Sequence, residues 1–233
     1  MKSDVIQFVM PVALKDIFDV IAPEVSTRWA DQFDVALMLN PEVPGYIAGG
    51  AAWSVAASNP VYILQVLDLA ECAAGLINLG YSPLAFGVRG EDAPKPLRAL
   101  SEIESLLHSA ERIAFTGQGT SGVQFHQLME QLQEPAALAE KLVPLPGGAP
   151  MAQLLSGEVD VAVLPLSNIA PVPGVYAKAV CPHGLNVHID LAFCLNKAAN
   201  AATHRFADWL IDARDRGRLD PLGLWQAPNG SST

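Results

Sequence analysis

Residues 1–80 alternate short apolar runs with segments whose apolar residues recur every three or four positions. The runs predict buried strands, because they are short and rich in β-branched and aromatic side chains: Asp4–Met10, Phe33–Pro41 and Val61–Leu67. The intervening segments predict helices: one from Leu14 that ends near Pro23, one over Tyr46–Ser58 and one from Asp68 to Gly80. Strands that alternate with helices predict a mostly parallel sheet covered by helices.

A second alternation follows a proline-rich, charged loop near residues 90–100. The predicted strands are Leu84–Gly90, Arg112–Thr116, Lys141–Pro146, Val159–Leu166, Gly174–Val180 and Val187–Asn196. The predicted helices are Ser121–Leu132, Pro150–Gly157 and Ala202–Gly217. Two such alternations, joined by extended segments, predict an α/β protein of two lobes. We assign residues 1–85 and 190–233 to lobe I and residues 86–189 to lobe II.

Composition narrows the possible partners. The 233-residue chain is 51% hydrophobic, which supports a sizeable core, and it carries a formal net charge of −10. Such an acidic chain is not expected to bind nucleic acid or an anionic membrane surface, although backbone N–H groups can still bind a small anion. No apolar run is long enough to span a membrane. The N-terminus lacks the pattern of a signal peptide, so we expect a cytoplasmic protein as given, or a periplasmic one if a leader was removed.

The three cysteines are scattered, and neither their spacing nor that of the histidines matches a zinc site. We interpret them as buried small hydrophobic residues. No metal and no cofactor is expected.

Residues 117–122 read Gly-Gln-Gly-Thr-Ser-Gly, which matches the G-x-G-x-x-G pattern of a dinucleotide-binding turn. That turn also requires an acidic residue at the end of the next strand, where it holds a ribose hydroxyl. Here the next strand ends in Pro146-Gly147-Gly148, and Glu140 lies before the strand. A dinucleotide-binding turn is therefore not expected. No lysine follows the last glycine, which also excludes the phosphate-binding loop of nucleoside triphosphatases.

The same turn has the chemistry of an anion site. Gly119 and Gly122 allow a ligand to approach the backbone, and Thr120 and Ser121 add hydroxyl groups. The first N–H groups of the following helix, together with its dipole, favour a carboxylate or an oxyanion. Ser121 and Gln124 also have the spacing of a capping box. An ordinary capped helix after a tight turn remains the alternative.

The order of elements from "IAFTGQGTSGVQFHQLMEQL" through "GEVDVAVLPLS" to "FADWLIDARDRG" resembles the type 2 periplasmic solute-binding proteins. Within them it resembles the molybdate-binding-protein-like branch most. The resemblance implies two α/β lobes, hinged by crossover strands, that close on a ligand in the cleft between them. It also implies that helix N-termini hold the oxygen atoms of a small anionic ligand, and that an exported protein serves a transporter permease.

Carried onto this chain, the resemblance implies five contact loops, which follow predicted strands. Their residues are Pro11, Val12 and Ala13; Asn40; Gly119, Thr120, Ser121 and Gly122; Ala149; and Ser167 and Asn168. The first two loops lack the serines typical of the oxyanion binders. We therefore expect a ligand that is anionic at one end and apolar at the other, with Met10, Pro11, Val12, Tyr46 and Trp53 on the apolar side.

The same branch is also similar to aconitate isomerase, which moves a double bond in a tricarboxylic acid. Such a reaction needs a general base and an acid. Glu42 follows the second predicted strand, where loops of the cleft are expected, and it is our candidate base. Three interpretations therefore stay open. The first is binding of a small carboxylate or oxyanion, the second is isomerisation of an unsaturated di- or tricarboxylate, and the third is a structural or regulatory role without a ligand.

Overall fold

The computed structural model describes residues 5–29, 32–69, 72–73, 75–91 and 94–227. Its strands are β1 Val5–Pro11, β2 Gln32–Met38, β3 Val55–Ser58, β4 Ile77–Arg89, β5 Ile113–Thr116, β6 Leu142–Leu145, β7 Val161–Pro165, β8 Val175–Val180 and β9 His188–Leu195. Its α-helices are α1 Lys15–Trp29, α2 Val43–Ala48, α3 Pro60–Leu69, α4 Leu100–Ser109, α5 Thr120–Met129, α6 Ala149–Ser156 and α7 Ala201–Asp215. The chain divides into unit 1, residues 1–81 and 190–233, and unit 2, residues 82–189. It passes between the units twice, within β4 and within β9.

Unit 1 contains a sheet in the order β2-β1-β3-β9. β1 pairs in parallel with β2 and β3, and β9 pairs antiparallel with β3. Side chains of β1 alternate between two apolar layers, as the pleat requires. Phe8 makes edge-to-face contacts with Phe18 and Phe206, at centroid distances of 5.6 and 5.5 Å, whereas Val9 packs in a separate cluster with Ile63 and Trp53.

Unit 2 contains strands in the order β4-β7-β5-β6, with β8 also paired to β4. β5 lies between β6 and β7 and is parallel to both, while β4 is antiparallel to β7 and β8. All four residues of β5 are buried. One apolar cluster contains Phe86, Ile103 and Phe125, from β4, α4 and α5. On the neighbouring position of β4, Gly87 meets Leu154 of α6.

The main departure from the predicted elements lies in residues 46–80. The predicted helix Tyr46–Ser58 is instead α2, which ends at Ala48, followed by β3. The predicted strand Val61–Leu67 lies inside α3, and β4 begins at Ile77, within the predicted helix Asp68–Gly80. The side chain of Asp68, the predicted N-cap of that helix, lies outside the described residues, as does Asp4 at the predicted start of the first strand.

Local signals explain α3. The Oδ1 atom of Asn59 accepts a hydrogen bond from the N–H group of Val61 at 3.1 Å, as an N-cap does, and Pro60 occupies the first helical position. Ile63 and Val66, three residues apart, are fully buried. The capping residues and the helical spacing of the buried residues therefore outweigh the β-branched composition that had predicted a strand here.

Two other predictions also fail. α1 does not end near Pro23 but continues through it to Trp29, and the burial of Ile21 and Val25 on either side stabilises that continuation. The charged loop after β4 contains an unpredicted helix, α4, whose Ile103 and Leu107 are buried. The predicted elements from residue 112 to residue 217 all have counterparts in the structure, with ends that shift by a few residues.

Candidate functional site

In unit 1, three parallel strands end at the same edge of the sheet. β1 is followed by the 3₁₀ helix Val12–Leu14, β2 by the 3₁₀ helix Asn40–Glu42, and β3 by Asn59 and α3. The carboxyl ends of parallel strands are the usual place for ligands in α/β sheets. This edge therefore brings together Pro11, Val12, Ala13 and Asn40 from the predicted site, and the side chain of Ala13 is buried.

Asn40 ties two of these loops together. Its Oδ1 atom accepts a hydrogen bond from Ser58 Oγ at 2.8 Å and another from the N–H group of Asn59 at 2.9 Å. Its backbone oxygen accepts a further bond from Ser58 Oγ at 3.2 Å. Asn40 and Ser58 are both buried. The acceptor of the Asn40 amide is thus fully engaged in holding the edge together, which leaves its NH₂ group as the side-chain donor for a ligand.

Glu42 has a different role from the one the sequence suggests. Its Oε2 atom accepts a hydrogen bond from the N–H group of Leu39 at 2.7 Å and so caps the 3₁₀ helix Asn40–Glu42. The residue is exposed. The sequence suggested a partly buried carboxylate at this position, whereas the carboxylate of Glu42 is exposed and engaged as a cap.

In unit 2, three parallel strands likewise end at one edge, and each continues into a helix. β5 leads through Gly117, Gln118 and Gly119 to α5, β6 leads to α6, and β7 leads to the 3₁₀ helix Leu166–Asn168. The N–H group of Gly117 donates to Leu145 O at 2.8 Å and extends the pairing of β5 with β6 to this edge.

Two glycines shape the start of α5. Gly119 has φ 101° and ψ 176°, a backbone conformation that residues other than glycine rarely adopt. A Cβ atom on Gly122 would lie 2.2 Å from the backbone oxygen of Thr116, so the first turn of α5 packs directly against the end of β5. The glycines of the G-x-G-x-x-G pattern thus serve a tight strand-to-helix turn.

The predicted capping box at Ser121 does not form. The N-cap residue of α5 is Gly119, and no side chain caps the helix. Ser121 is already inside the first turn, so its hydroxyl cannot reach the N–H groups that a cap would engage. The first N–H groups of α5 therefore receive no cap from the N-cap residue, and they have no partner within the helix.

Thr120 carries the most informative polar atom of this edge. Its Oγ1 atom is buried and has no hydrogen-bond partner among the described residues. Gln124, one turn further along α5, has a buried Oε1 atom in the same condition. Because a buried polar atom without a partner costs free energy, such an atom marks a place where a missing partner, such as a ligand, would be stabilising.

The other two loops of unit 2 are less open. Gly148, with φ 83°, precedes α6, and the N–H group of Ala149 is already bonded to Pro146 O at 3.1 Å. Ser167 and Asn168 are buried, and the N–H group of Ser167 donates to Ser82 Oγ at 3.0 Å. Ala149, Ser167 and Asn168 thus follow the carboxyl ends of β6 and β7, and the N–H groups of Ala149 and Ser167 already have acceptors within the protein.

The structure also places two unpredicted polar residues beside Asn40 and buries two of the apolar residues expected near the ligand. Ser58 and Asn59 lie at the same sheet edge of unit 1 as Asn40, and the sequence analysis missed them because the segment after them was predicted to be a strand. The sequence Asn59-Pro60, a cap followed by proline, was the signal that could have found them. Met10 and Trp53, expected on an apolar side of the ligand, are buried, and Trp53 packs in the core of unit 1.

Comparison with known proteins agrees with this arrangement. Residues 9–219 match the family model of the bacterial extracellular solute-binding proteins. The chain belongs to this family. No curated relative matches this solute-binding protein by sequence.

Solved structures share the fold of this solute-binding protein. The periplasmic molybdate-binding protein of Azotobacter vinelandii is 14% identical with a TM-score of 0.75, over 96% of this chain and 100% of that one. A substrate-binding domain assigned to a molybdenum ABC transporter of Clostridium difficile is 14% identical with a TM-score of 0.70, over 97% and 100%. PEB3 with bound L-phospholactate, a protein of Campylobacter jejuni, is 12% identical with a TM-score of 0.64, over 95% and 100%. The fold is therefore the type 2 periplasmic-binding-protein fold, as the resemblance predicted.

None of the helices described is both long and apolar enough to cross a lipid bilayer. Within the described residues, no three or more histidine, cysteine, aspartate or glutamate side chains come together as metal ligands would.

Proposed function

We propose that this solute-binding protein captures a small anion, an oxyanion or a compact phosphate or carboxylate, with the N-terminal turn of α5 in unit 2 as its main contact. The observation that carries the proposal is the start of α5. There the N–H groups have no side-chain cap, and the buried Thr120 Oγ1 atom has no partner among the described residues.

The charge of the chain favours recognition by dipoles. With a formal net charge of −10, the protein as a whole repels anions. Attraction must then be local, and the positive end of a helix dipole, with N–H groups that have no acceptor within the helix, supplies it at short range. In unit 1, the NH₂ group of Asn40 is oriented by the bonds to Ser58 and Asn59 and adds a neutral donor.

The anion class follows from the donors and from the structural neighbours. Backbone N–H groups, a hydroxyl and an amide suit a compact ligand whose oxygen atoms accept several hydrogen bonds. Two of the neighbours are described as a molybdate-binding protein and as part of a molybdenum transporter, and PEB3 is described with L-phospholactate, which carries both a phosphate and a carboxylate. Because Met10 and Trp53 are core residues, the apolar end predicted from the sequence has less support than the anionic end.

The first test is a binding screen of the purified protein by thermal shift, followed by calorimetry. The screen contains molybdate, tungstate, sulfate, phosphate, phospholactate and the carboxylates citrate and aconitate. A ligand present at 100 times its dissociation constant stabilises the native state by about 2.7 kcal/mol, which such a screen resolves. Stabilisation by none of these anions would contradict the proposal.

A matched pair of variants tests where the anion binds. Ser121→Leu places a bulky apolar side chain in the first turn of α5, and we expect it to weaken binding about 10- to 150-fold, through the loss of about 1.5–3 kcal/mol of hydrogen bonding to a charged group. Val123→Leu changes an exposed position of the same helix and should leave the dissociation constant unchanged. Equal affinities in both variants would remove α5 from the site.

A bacterial solute-binding protein delivers its ligand to a membrane transporter, so a permease is the expected partner. The alternative isomerase gains no support from the geometry, because Glu42 is exposed and its carboxylate caps a 3₁₀ helix. A turnover assay with cis- and trans-aconitate distinguishes the two functions.

A further inference from the structure

Two of the three cysteines meet within unit 1, although they lie 122 positions apart in the sequence. The Sγ atoms of Cys72 and Cys194 are 3.9 Å apart. The sequence pattern had suggested only isolated, buried thiols. The third cysteine, Cys181, is buried in unit 2.

Backbone hydrogen bonding holds the two cysteines in this position. Cys72 forms an isolated antiparallel bridge with Asn196, and the N–H group of Ala73 donates to Leu195 O at 2.8 Å. Residues two positions apart on a strand point to the same face, so Cys194 projects to the same side as Asn196, the bridge partner of Cys72. The pair is therefore built into the pairing of two segments, and both side chains lie on one face.

The two thiols differ in access to solvent. Cys194 is fully buried within β9, whereas Cys72 is half-buried. Burial raises the pKa of Cys72, while the hydrogen bond to Cys194 and the nearby Lys197 act in the opposite direction. Burial also raises the pKa of Cys194. Cys72 is thus the thiol that an external reagent reaches first.

We propose that Cys72 and Cys194 are a redox pair that closes to an intramolecular disulfide in an oxidising compartment. A disulfide requires an S–S distance of about 2.05 Å, so the two sulfur atoms must approach each other by about a further 2 Å when the bond forms. The family to which the chain belongs is extracellular, and disulfides form and persist outside the cytoplasm.

The chemistry is thiol–disulfide exchange with a small disulfide such as oxidised glutathione. The Cys72 thiolate attacks one sulfur of the oxidant, and one glutathione leaves as a thiolate. Cys194 loses its proton and attacks the Cys72 sulfur of the mixed disulfide, which releases the second glutathione. Two thiols of the protein are oxidised, one disulfide of the oxidant is reduced, and the two protons end on the two glutathione thiols.

The position of the bond gives it a consequence for the fold. Cys72 lies between α3 and β4, and Cys194 lies near the end of β9. β4 and β9 are the strands in which the chain passes from one unit to the other. Within unit 1, the disulfide would fasten the segment before one crossing to the segment after the other.

The experiment oxidises the reduced, native protein with oxidised glutathione, then unfolds it and labels the remaining thiols with N-ethylmaleimide. We expect intact mass spectrometry to find one label per chain, at Cys181, and peptide mapping to find a linked pair containing Cys72 and Cys194. Cys181→Ser should form the same link and carry no label. Cys194→Ser should stop at a mixed disulfide between Cys72 and one glutathione.

Three results would overturn the proposal: three labelled thiols in the wild type, a persistent mixed disulfide at Cys72, or a link that involves Cys181. Circular dichroism of each variant before oxidation establishes that the native protein was tested. The binding screen is independent of this experiment, so the disulfide and the anion site can fail separately.

Discussion

Replacing Thr120 by valine is expected to separate stability from binding. Valine keeps the shape of threonine and has a similar helix propensity, so the change removes little but the hydroxyl. In the ligand-free protein, the Thr120 Oγ1 atom is buried and has no partner among the described residues. An unsatisfied polar atom of this kind costs about 1–3 kcal/mol of desolvation, whereas an apolar atom of the same shape does not.

The substitution should affect stability and affinity in opposite directions. For the free protein we expect Thr120→Val to leave the free energy of unfolding unchanged or to raise it by up to about 1 kcal/mol. For the complex, the variant loses a hydrogen bond to a charged ligand, worth about 1.5–3 kcal/mol. The dissociation constant should therefore rise about 10- to 150-fold.

The assays are urea denaturation of the ligand-free protein and calorimetric titration with the anion that the screen identifies. Ser105→Ala is a suitable control, because it removes a hydroxyl from an exposed position of α4 in the same unit. It should leave the affinity unchanged. An unchanged dissociation constant in Thr120→Val would refute the reasoning about the ligand, and a loss of stability would mean that the hydroxyl has a structural partner.

Two further predictions concern packing and pH. Gly122→Ala should lower the free energy of unfolding by about 1–3 kcal/mol and weaken anion binding, because the new Cβ atom would lie 2.2 Å from Thr116 O. Gly45→Ala is the control, because nothing lies within 4 Å of its new Cβ atom, and it should neither lower stability nor weaken binding. Urea denaturation of both variants measures the stability. Burial raises the pKa of the Cys181 thiol from 9.0 to about 12, so the unfolded chain releases this proton first and native stability falls as the pH rises through that window. Urea titrations across this range should show a shallower loss for Cys181→Ala, and parallel curves would contradict the assignment.

The sequence predicted the second half of the chain better than the first. From residue 112 to residue 217, strands and helices are separated by glycine and proline and differ clearly in hydrophobic spacing, and they have counterparts in the structure. In residues 46–80 the apolar runs are short, and periodicity alone does not distinguish a buried strand from a buried helix there. The cap at Asn59 and Pro60 resolves this ambiguity in favour of α3.

For the candidate site, the sequence located the turn from Gly117 to Gly122 but not its hydrogen bonds. The predicted cap at Ser121 fails because the N-cap residue is Gly119, two positions earlier. The partners of Asn40 come from β3 and the residue that follows it, 18 and 19 positions away, and local patterns carry no information on such pairs.

The α/β class, the turn chemistry of the α5 loop and the resemblance to solute-binding proteins could be predicted from the residues alone, because they depend on local spacing and on residue types. Three features appear only in the folded chain: Glu42 is a cap, the buried hydroxyl of Thr120 has no partner among the residues described, and Cys72 faces Cys194. The physical reason is that burial and long-range contact depend on which strands become neighbours. That order is set by the packing of the whole chain, and not by the residues adjacent in sequence.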